Sequence, residues 1–395
     1  MPTKKSKNLF SICLAIFSLF IGSCSEDKAS DFEKLGATAS SSGTIQGSVV
    51  SYSGNTALSG VSISFTKSGA TAATISTDSS GNFSQSALPL GTYTLTYSKD
   101  DYLSATQSAI LETDNQTLVT SAIKMLADTC SSGNIVGTIS DATISSSTIS
   151  GATINARSGS SVRSGTIVAT TTTNSSGVYT LSSMSAGWYT IQVVKDNYID
   201  RYFNVLACSD KTGQNVAMSP SLASGAMRVV LSWPNGSTAG DLDSHLTGPD
   251  NVTSRFHVYY PSSTYGNFYY YTNSYACSGC TSSQASDNVT VDRDDQSAAG
   301  TETITISSVR SGTYRYSVYD FDNGQGKASG ATSTKLATSG ADVTVYYNNG
   351  TTTVDNTYNL PNSAGTLWKV FTFTTSGGFV EIGTIDHTTE SGSIE

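Results

Sequence analysis

Short runs of alternating apolar and polar residues, broken every few positions by Gly, Asn, Asp or Ser, continue along most of the chain from Thr44 onward. Period-two patterning predicts half-buried strands, whose successive side chains face opposite sides. In G-T-Y-T-L-T-Y, Tyr93, Leu95 and Tyr97 share one face; in G-W-Y-T-I-Q-V, Tyr189, Ile191 and Val193 do the same. Helical periodicity is nearly absent, and abundant Ser, Thr, Gly and Tyr suit strands and turns better than helices. The expected fold class is all-β. At 395 residues the chain is long enough for two or three domains.

Two stretches repeat one order of segments. The first has T-I-Q-G-S-V-V (Thr44 to Val50), S-G-V-S-I-S-F (Ser59 to Phe65), T-D-S-S-G-N-F (Thr77 to Phe83), G-T-Y-T-L-T-Y (Gly91 to Tyr97) and K-D-D-Y (Lys99 to Tyr102). The second has N-I-V-G-T-I-S (Asn134 to Ser140), S-G-A-T-I-N-A (Ser150 to Ala156), T-N-S-S-G-V-Y (Thr173 to Tyr179), G-W-Y-T-I-Q-V (Gly187 to Val193) and K-D-N-Y (Lys195 to Tyr198). Each copy predicts a small antiparallel sandwich of about six or seven short strands. Gly81 and Gly177 stand where the turn between strands requires positive φ. The order of motifs resembles the carboxypeptidase regulatory-like domain, a transthyretin-like sandwich, over Thr44 to about Met125 and Asn134 to about Met218. The resemblance implies no peptidase: such modules act as spacers, stability elements or docking surfaces, and some related sandwiches bind carbohydrate. Neither copy picks out a sugar site, so a spacer is the expectation.

After the linker S-L-A-S-G (Ser221 to Gly225) a third module begins, with Met227, Val229, Leu231 and Trp233 alternating with Arg228, Val230 and Ser232. Further strands are predicted at Phe256 to Tyr260, Glu302 to Ser307, Tyr314 to Tyr319, Val343 to Tyr347, Leu367 to Phe373 and Phe379 to Ile385, which makes a third β-sandwich. This module resembles a family of poorly characterised bacterial domains found in secreted proteins and lipoproteins. The resemblance rests on V-x-L-x-W (Val229 to Trp233), D-L-D-S-H-L-T-G-P (Asp241 to Pro249), R-F-H-V-Y (Arg255 to Tyr259), D-x-D-D with G-x-E-T-I-T-I (Asp292 to Ile306), G-x-Y-R-Y-x-V (Gly312 to Val318) and W-x-V-F (Trp368 to Phe371). Thr301 departs from the family, which more often has Pro there, and the stretch between Tyr260 and Asp287 is longer than usual.

Candidate chemistry concentrates in this module. In extended chain Asp241, Asp243 and His245 point to one side, and Leu242 and Leu246 to the other. Asp292, Asp294 and Asp295 form a second acidic group, with Glu302 at the start of the next strand. If Asp241, Asp243, Asp292, Asp294 and Glu302 converge, a hard cation such as Ca²⁺, which takes oxygen ligands in loop geometry, would relieve their repulsion. The alternative is solvated loop acids and turn caps. His245, His257 and His387 lack metal-ligand spacing, and His257, inside a strand, is expected to be packed or hydrogen-bonded. No nucleophile elbow, H-E-x-x-H, P-loop or dinucleotide fingerprint occurs, so no enzymatic activity is expected. Tyr259, Tyr260, Tyr265, Tyr269, Tyr270, Tyr271 and Tyr275 crowd the long insertion. An ordinary hairpin accounts for them by strand propensity, and a partner- or glycan-binding loop by their large amphipathic contact surface. D-F-D-N (Asp320 to Asn323) reads as a turn and Thr388 to Glu395 as a frayed tail.

The N-terminus differs from the rest. Lys4, Lys5 and Lys7 precede an apolar run, Leu9 to Ile21, too short for a permanent span, and I-G-S-C follows at Ile21 to Cys24. Small residues before Cys resemble the lipobox of bacterial lipoproteins, which implies cleavage before Cys24 and its acylation. Several acyl chains on one residue supply stable anchoring without a span. Loss of residues 1–23 removes three lysines and no acid, taking the formal charge from −9 to −12. So acidic a chain favours divalent cations and basic protein surfaces over nucleic acid. Of the six cysteines, Cys13 leaves with the signal and Cys24 is acylated. Cys130 and Cys208 bracket the second sandwich and are expected to pair; Cys277 and Cys280, in C-S-G-C, are expected to pair with each other. A redox or zinc role for C-x-x-C lacks a βαβ setting or a second C-x-x-C.

The expected organisation is a signal peptide (1–23), a tether (24–43), two carboxypeptidase regulatory-like domains (44–127 and 130–220), a C-terminal sandwich (226–387) and a tail (388–395). The expected function is that of a non-catalytic bacterial lipoprotein, lipid-anchored at the outer membrane or cell surface, presenting its C-terminal module to protein partners. Ser25 lacks the Asp that retains such proteins at the inner membrane in enteric bacteria. The alternative is a carbohydrate-binding lipoprotein using the tyrosine loop.

Overall fold

Three β-sandwiches follow one another in a computed structural model that describes residues 41–234, 237–250, 255–259, 288–297 and 300–394. Each closes around its own apolar cluster, because a sheet with one apolar face must bury it against another layer. No helix among the described residues is long and apolar enough to cross a membrane.

The first sandwich uses β1 (Ser42–Ser51), β2 (Ser62–Lys67), β3 (Ala70–Ser76), β4 (Asn82–Pro89), β5 (Gly91–Ser98), β6 (Ala105–Leu111), β7 (Thr117–Val119) and β8 (Ile123–Met125). One sheet runs β4-β1-β7, with β8 also paired to β1, and the other runs β3-β2-β5-β6. The second sandwich repeats this plan with β9 (Gly133–Asp141), β10 (Thr153–Ser158), β11 (Ala169–Thr172), β12 (Val178–Met184), β13 (Gly187–Val194), β14 (Arg201–Ala207) and β15 (Val216–Met218). Its sheets run β12-β9-β15 and β11-β10-β13-β14. Tyr93, Leu95 and Tyr97 of β5, and Tyr189, Ile191 and Val193 of β13, are all buried. Gly81 and Gly177 adopt φ of 75° and 74°, and a Cβ there would lie 2.5 Å from the Val49 carbonyl oxygen and 2.8 Å from that of Ile139. Cys130 and Cys208 are bonded, with Cα atoms 5.2 Å apart. The bridge spans 78 residues, a loop whose closure restricts the unfolded chain by about 4.5 kcal/mol on the chain-entropy model.

The third sandwich contains β16 (Met227–Ser232), β17 (Leu242–Pro249), β18 (Arg255–Val258), β19 (Val289–Arg293), β20 (Thr301–Ile306), β21 (Tyr314–Asp320), β22 (Asp342–Asn348), β23 (Thr353–Asn359), β24 (Leu367–Thr374) and β25 (Gly378–Asp386). Its sheets run β19-β20-β16-β22-β23 and β18-β17-β21-β24-β25. Two expectations need correction here. Asp320 to Asn323 does not form a simple turn: Asp320 caps a one-turn helix, Phe321–Gly324, by accepting from the Asn323 amide. Nor is the C-terminal tail frayed, because Ile394 is buried with Tyr319 and Leu367, and Thr388 accepts a bond from the Tyr319 hydroxyl.

The junctions between sandwiches are bonded. Between the first and second, the Ser108 and Ser160 amides bond across the boundary, and the Trp188 indole donates to the Lys124 carbonyl oxygen at 2.9 Å. Between the second and third, Ala142 and Ala217 pack against Val230 and Tyr346. Polar bonds frame that patch. The Arg201 guanidinium, 3% exposed, donates to Asp342 at 2.6 Å and to the Thr344 hydroxyl at 2.7 Å. Arg228 donates to Ser219 and to the Pro220 carbonyl oxygen, and the Thr303 hydroxyl donates to the Ala142 carbonyl oxygen at 2.7 Å. Burial opposes the charge on Arg201, and Asp342, Tyr346 and Asp355 together more than restore it.

Bonds to a charged group of this kind are worth about 1.5–3 kcal/mol. Arg201→Met should therefore raise the rate of limited proteolysis in the Ser219 to Gly225 connection by about tenfold or more, since cleavage follows the open population. Cleavage at the wild-type rate would show that the arginine does not hold the junction.

Candidate functional site

The D-L-D-S-H-L-T-G-P stretch is mostly strand β17, and every residue from Leu242 to Gly248 is buried. Leu242 and Leu246 enter the core. β18 pairs with β17 only from Leu246 to Pro249, so among the described residues no strand pairs with the outer edge of the N-terminal half of β17. A buried backbone N–H needs an acceptor, and Glu302 of β20 supplies it: the Ser244 amide donates to Glu302 Oε2 at 2.5 Å. The Ser244 hydroxyl meets the Tyr316 hydroxyl at 2.7 Å. Glu302 thus reaches from one sheet to the other.

That reach brings Glu302 beside Asp243 of β17 and Asp294, just past β19. Carboxylate oxygens of Asp243, Asp294 and Glu302 lie within 4.8 Å of one another, with Asp243 and Glu302 buried and Asp294 exposed. Asp241 lies outside this trio. Burial first, then the charges of Asp322, Asp294, Asp320 and Asp295, push its carboxyl up to about 6. The Oδ1 atom of Asp241 is buried without a donor among the described residues. Asp292 does not join the site, contrary to expectation. It is the extra residue of a β-bulge between Val291 and Arg293, and its carboxylate bonds the hydroxyls of Thr290 and Thr305 beside Arg228. Arg293, the other nearby cation, pairs with Asp295 at 2.7 Å.

Burial is the largest cause raising Asp243 and Glu302 well above the usual carboxylate range, and their neighbouring carboxylates raise both further; the Ser244 amide partly offsets the rise at Glu302. Asp320 is also raised by burial, against its bonds from Asn323 and the charge of Lys335. Chemically, the group can share a proton or hold a cation.

A second buried group lies along the same strand. His245 Nδ1 and His257 Nε2 are 2.9 Å apart, so one ring donates and the other accepts. Tyr259 stacks on both rings, with centroids 4.7 Å from His245 and 4.5 Å from His257. Burial pushes His257 down to about 3, and burial with the neighbouring ring puts His245 well below its usual range. Tyr259 is therefore a packing residue, 1% exposed, and not the loop contact expected from the run of tyrosines. Cys24, Tyr260, Tyr265, Tyr269, Tyr270, Tyr271, Tyr275, Cys277 and Cys280 lie outside the described residues. The sequence marks Asp320 and Asp322 only as part of a turn and leaves His245 unpartnered; only the pairing of β17 with β21 and β18 brings these groups together.

A cleft of about 1060 Å³ opens where the three sandwiches meet. Its aromatic walls are already engaged, Trp188 by Lys124 and Tyr202 by Arg163, 4.9 Å above its ring.

Residues 44–125 and 134–219 match the family model for the carboxypeptidase regulatory-like domain, so the chain carries two such domains. No curated protein matches the chain. Among solved structures it is similar to the Bacillus anthracis TIE protein, at 11% identity and a TM-score of 0.20, covering 70% of this chain and 45% of that one. It is also similar to a Streptococcal ancillary pilin, at 16% identity and a TM-score of 0.19, over 47% of this chain and 64% of that one. The shaft pilin spaA from Lactobacillus rhamnosus GG is similar at 16% identity and a TM-score of 0.19, over 46% of this chain and 99% of that one. The chain spans less than half of the TIE protein and just under two thirds of the ancillary pilin. TM-scores this low carry no argument about function.

Glu302 tests the electrostatics. A carboxyl raised by folding keeps its stabilising protonation below the unfolded pKa, about 4.3 for Glu, and loses it as pH rises through the folded value. The histidine pair acts in the opposite sense, resisting protonation as pH falls below about 6.5, so variant and wild type must be compared at each pH. In metal-free buffer Glu302→Gln should melt level with the wild type near pH 4.5 and above it by about 2–4 °C or more at pH 8, the shift that roughly 1 kcal/mol gives in such a domain. A difference that stays constant with pH would remove the buried-charge account.

Proposed function

We propose that this protein is a lipid-anchored, non-catalytic bacterial surface protein in which two carboxypeptidase regulatory-like domains hold the third sandwich away from the membrane and present it to a protein partner. The observation that carries this reading is the junction between the second and third sandwiches. Arg201, Arg228 and Thr303 bond across it around a small apolar patch, so the third module is held in one orientation and does not swing on a free linker. Fixed orientation is what a presenting stalk needs. The I-G-S-C sequence at Ile21 to Cys24 supports the anchor, and the pairing of Cys130 with Cys208 suits an oxidising exterior. The formal charge of −9 favours a basic partner surface. The glycan reading loses Tyr259 to the buried histidine stack, and nothing in the described residues replaces it.

Expressed in its own cell envelope, the wild-type chain should enter the detergent phase on Triton X-114 partitioning, while Cys24→Ser should lose the acyl label and fail to be processed. On intact cells, added protease should remove the third sandwich. Wild-type protein recovered from the aqueous phase, or a third sandwich protected on intact cells but cleaved on lysis, would overturn the reading.

A further inference from the structure

We propose that Asp243, Asp294 and Glu302 form a calcium site that ties the N-terminal half of β17 to the loop between β19 and β20. This goes beyond the presenting role, and either can fail without the other.

The three carboxylates lie within 4.8 Å of one another. Oxygens that close together can share one Ca²⁺, whose bonds are about 2.4 Å and whose shell tolerates irregular geometry, whereas Mg²⁺ demands a near-octahedral shell. The ligand set is all oxygen, which suits a hard cation over zinc or copper.

An independent observation comes from Asp243. Its side chain is 3% exposed and aims at Asp294 and Glu302, yet among the described residues no donor or cation reaches its carboxylate. Buried carboxylates are paired, protonated or bound to metal. Among the described residues no ion pair reaches Asp243: Arg293 pairs with Asp295, and Arg228 lies against Asp292 on the far face of the sheet. Burial of Asp241 Oδ1 without a donor adds a second unsatisfied oxygen close by.

The rest of the arrangement fits the ion. The Ser244 amide orients Glu302, as a bond behind a ligating carboxylate does. Asp294 is exposed, which gives the ion a route in and leaves positions for water to complete six to eight oxygens. Asp320 and Asp322 add negative potential around the mouth and draw a cation toward it.

Titration of the purified full chain with CaCl₂ in a calorimeter, paired with thermal melts in chelator and in calcium, tests the site. The expected result is one Ca²⁺ per chain, with affinity for MgCl₂ at least about tenfold lower, and a melting temperature that rises with calcium because the ion binds only the folded state. Asp243→Asn and Glu302→Gln should each weaken calcium binding by about tenfold or more, since site affinity follows ligand charge, while melting no lower than wild type in chelator. The exposed variant Asp294→Asn should lose binding equally and is the least able to fail through misfolding. Asp292→Asn should keep wild-type affinity. Absence of binding heat together with an unchanged melting temperature would overturn the proposal, as would wild-type calcium affinity in Asp294→Asn or Glu302→Gln.

Discussion

A half-covered strand governs the third sandwich. Among the described residues β18 pairs with only the far end of β17, and the Ser244 amide, without a strand partner there, lies inside the protein, where a donor without an acceptor is costly. Glu302 satisfies it from the facing sheet. That single bond fastens the two layers at this end, and it also places a carboxylate beside Asp243 in a site that water barely reaches. The backbone requirement is met by creating an electrostatic one. The acids at Asp241, Asp320 and Asp322 sharpen the second problem, because each raises the cost of charge on Asp241 or Asp243.

The histidines nearby show a different solution to burial. His245 and His257 are close enough to bond; burial disfavours a proton on both rings, and His257 disfavours it further on His245. A neutral pair with one donor and one acceptor needs no counter-charge, and Tyr259 can stack across both rings. Carboxyls have no such neutral pairing without an added proton. The same strand thus carries one polar pair that needs no counter-charge, although His245 Nε2 is buried without a partner among the described residues, and one acidic group that calls for an outside partner.

The fold was largely legible in the sequence, because alternation shows wherever one face is buried and the other wet. β5 and β13 obey it, and the turn glycines Gly81 and Gly177 have the positive φ that their position demands. β17 hides because it is buried on both faces, which removes the alternation. The site was legible in part. Asp243, Asp294 and Glu302 come together, but the bulge at Asp292 sends that side chain to the opposite face, and a single extra residue leaves no mark in composition or spacing. Tyr259 was misjudged through its company, a run of tyrosines, when its place one residue beyond a strand set its direction. Ile394 was missed because one apolar residue in a polar tail makes no pattern, yet it closes the pocket over Tyr319 and Leu367.

The two regulatory-like domains are most informative where they differ. In the first, the equivalents of the junction residues are Tyr52, 36% exposed, and Lys124, half-buried in β8. In the second, the same positions are Ala142 and Ala217, fully buried against Val230 and Tyr346. Two long amphipathic side chains are thus replaced by two methyl groups at the face where the third sandwich docks, which lets the backbones approach closely enough for Thr303 to bond Ala142. Exchanging the copies would put a tyrosine and a lysine into that contact, and overpacking with a buried unpaired charge would prop it open. The order of the domains along the chain is therefore built into their surfaces: at this face the first copy meets the second through polar contacts, Trp188 on the Lys124 carbonyl oxygen and Lys211 over the Tyr52 ring, and the second is shaved flat to carry the third. A pair of interchangeable spacers would not need that asymmetry, whereas a stalk that fixes the bearing of its terminal module does.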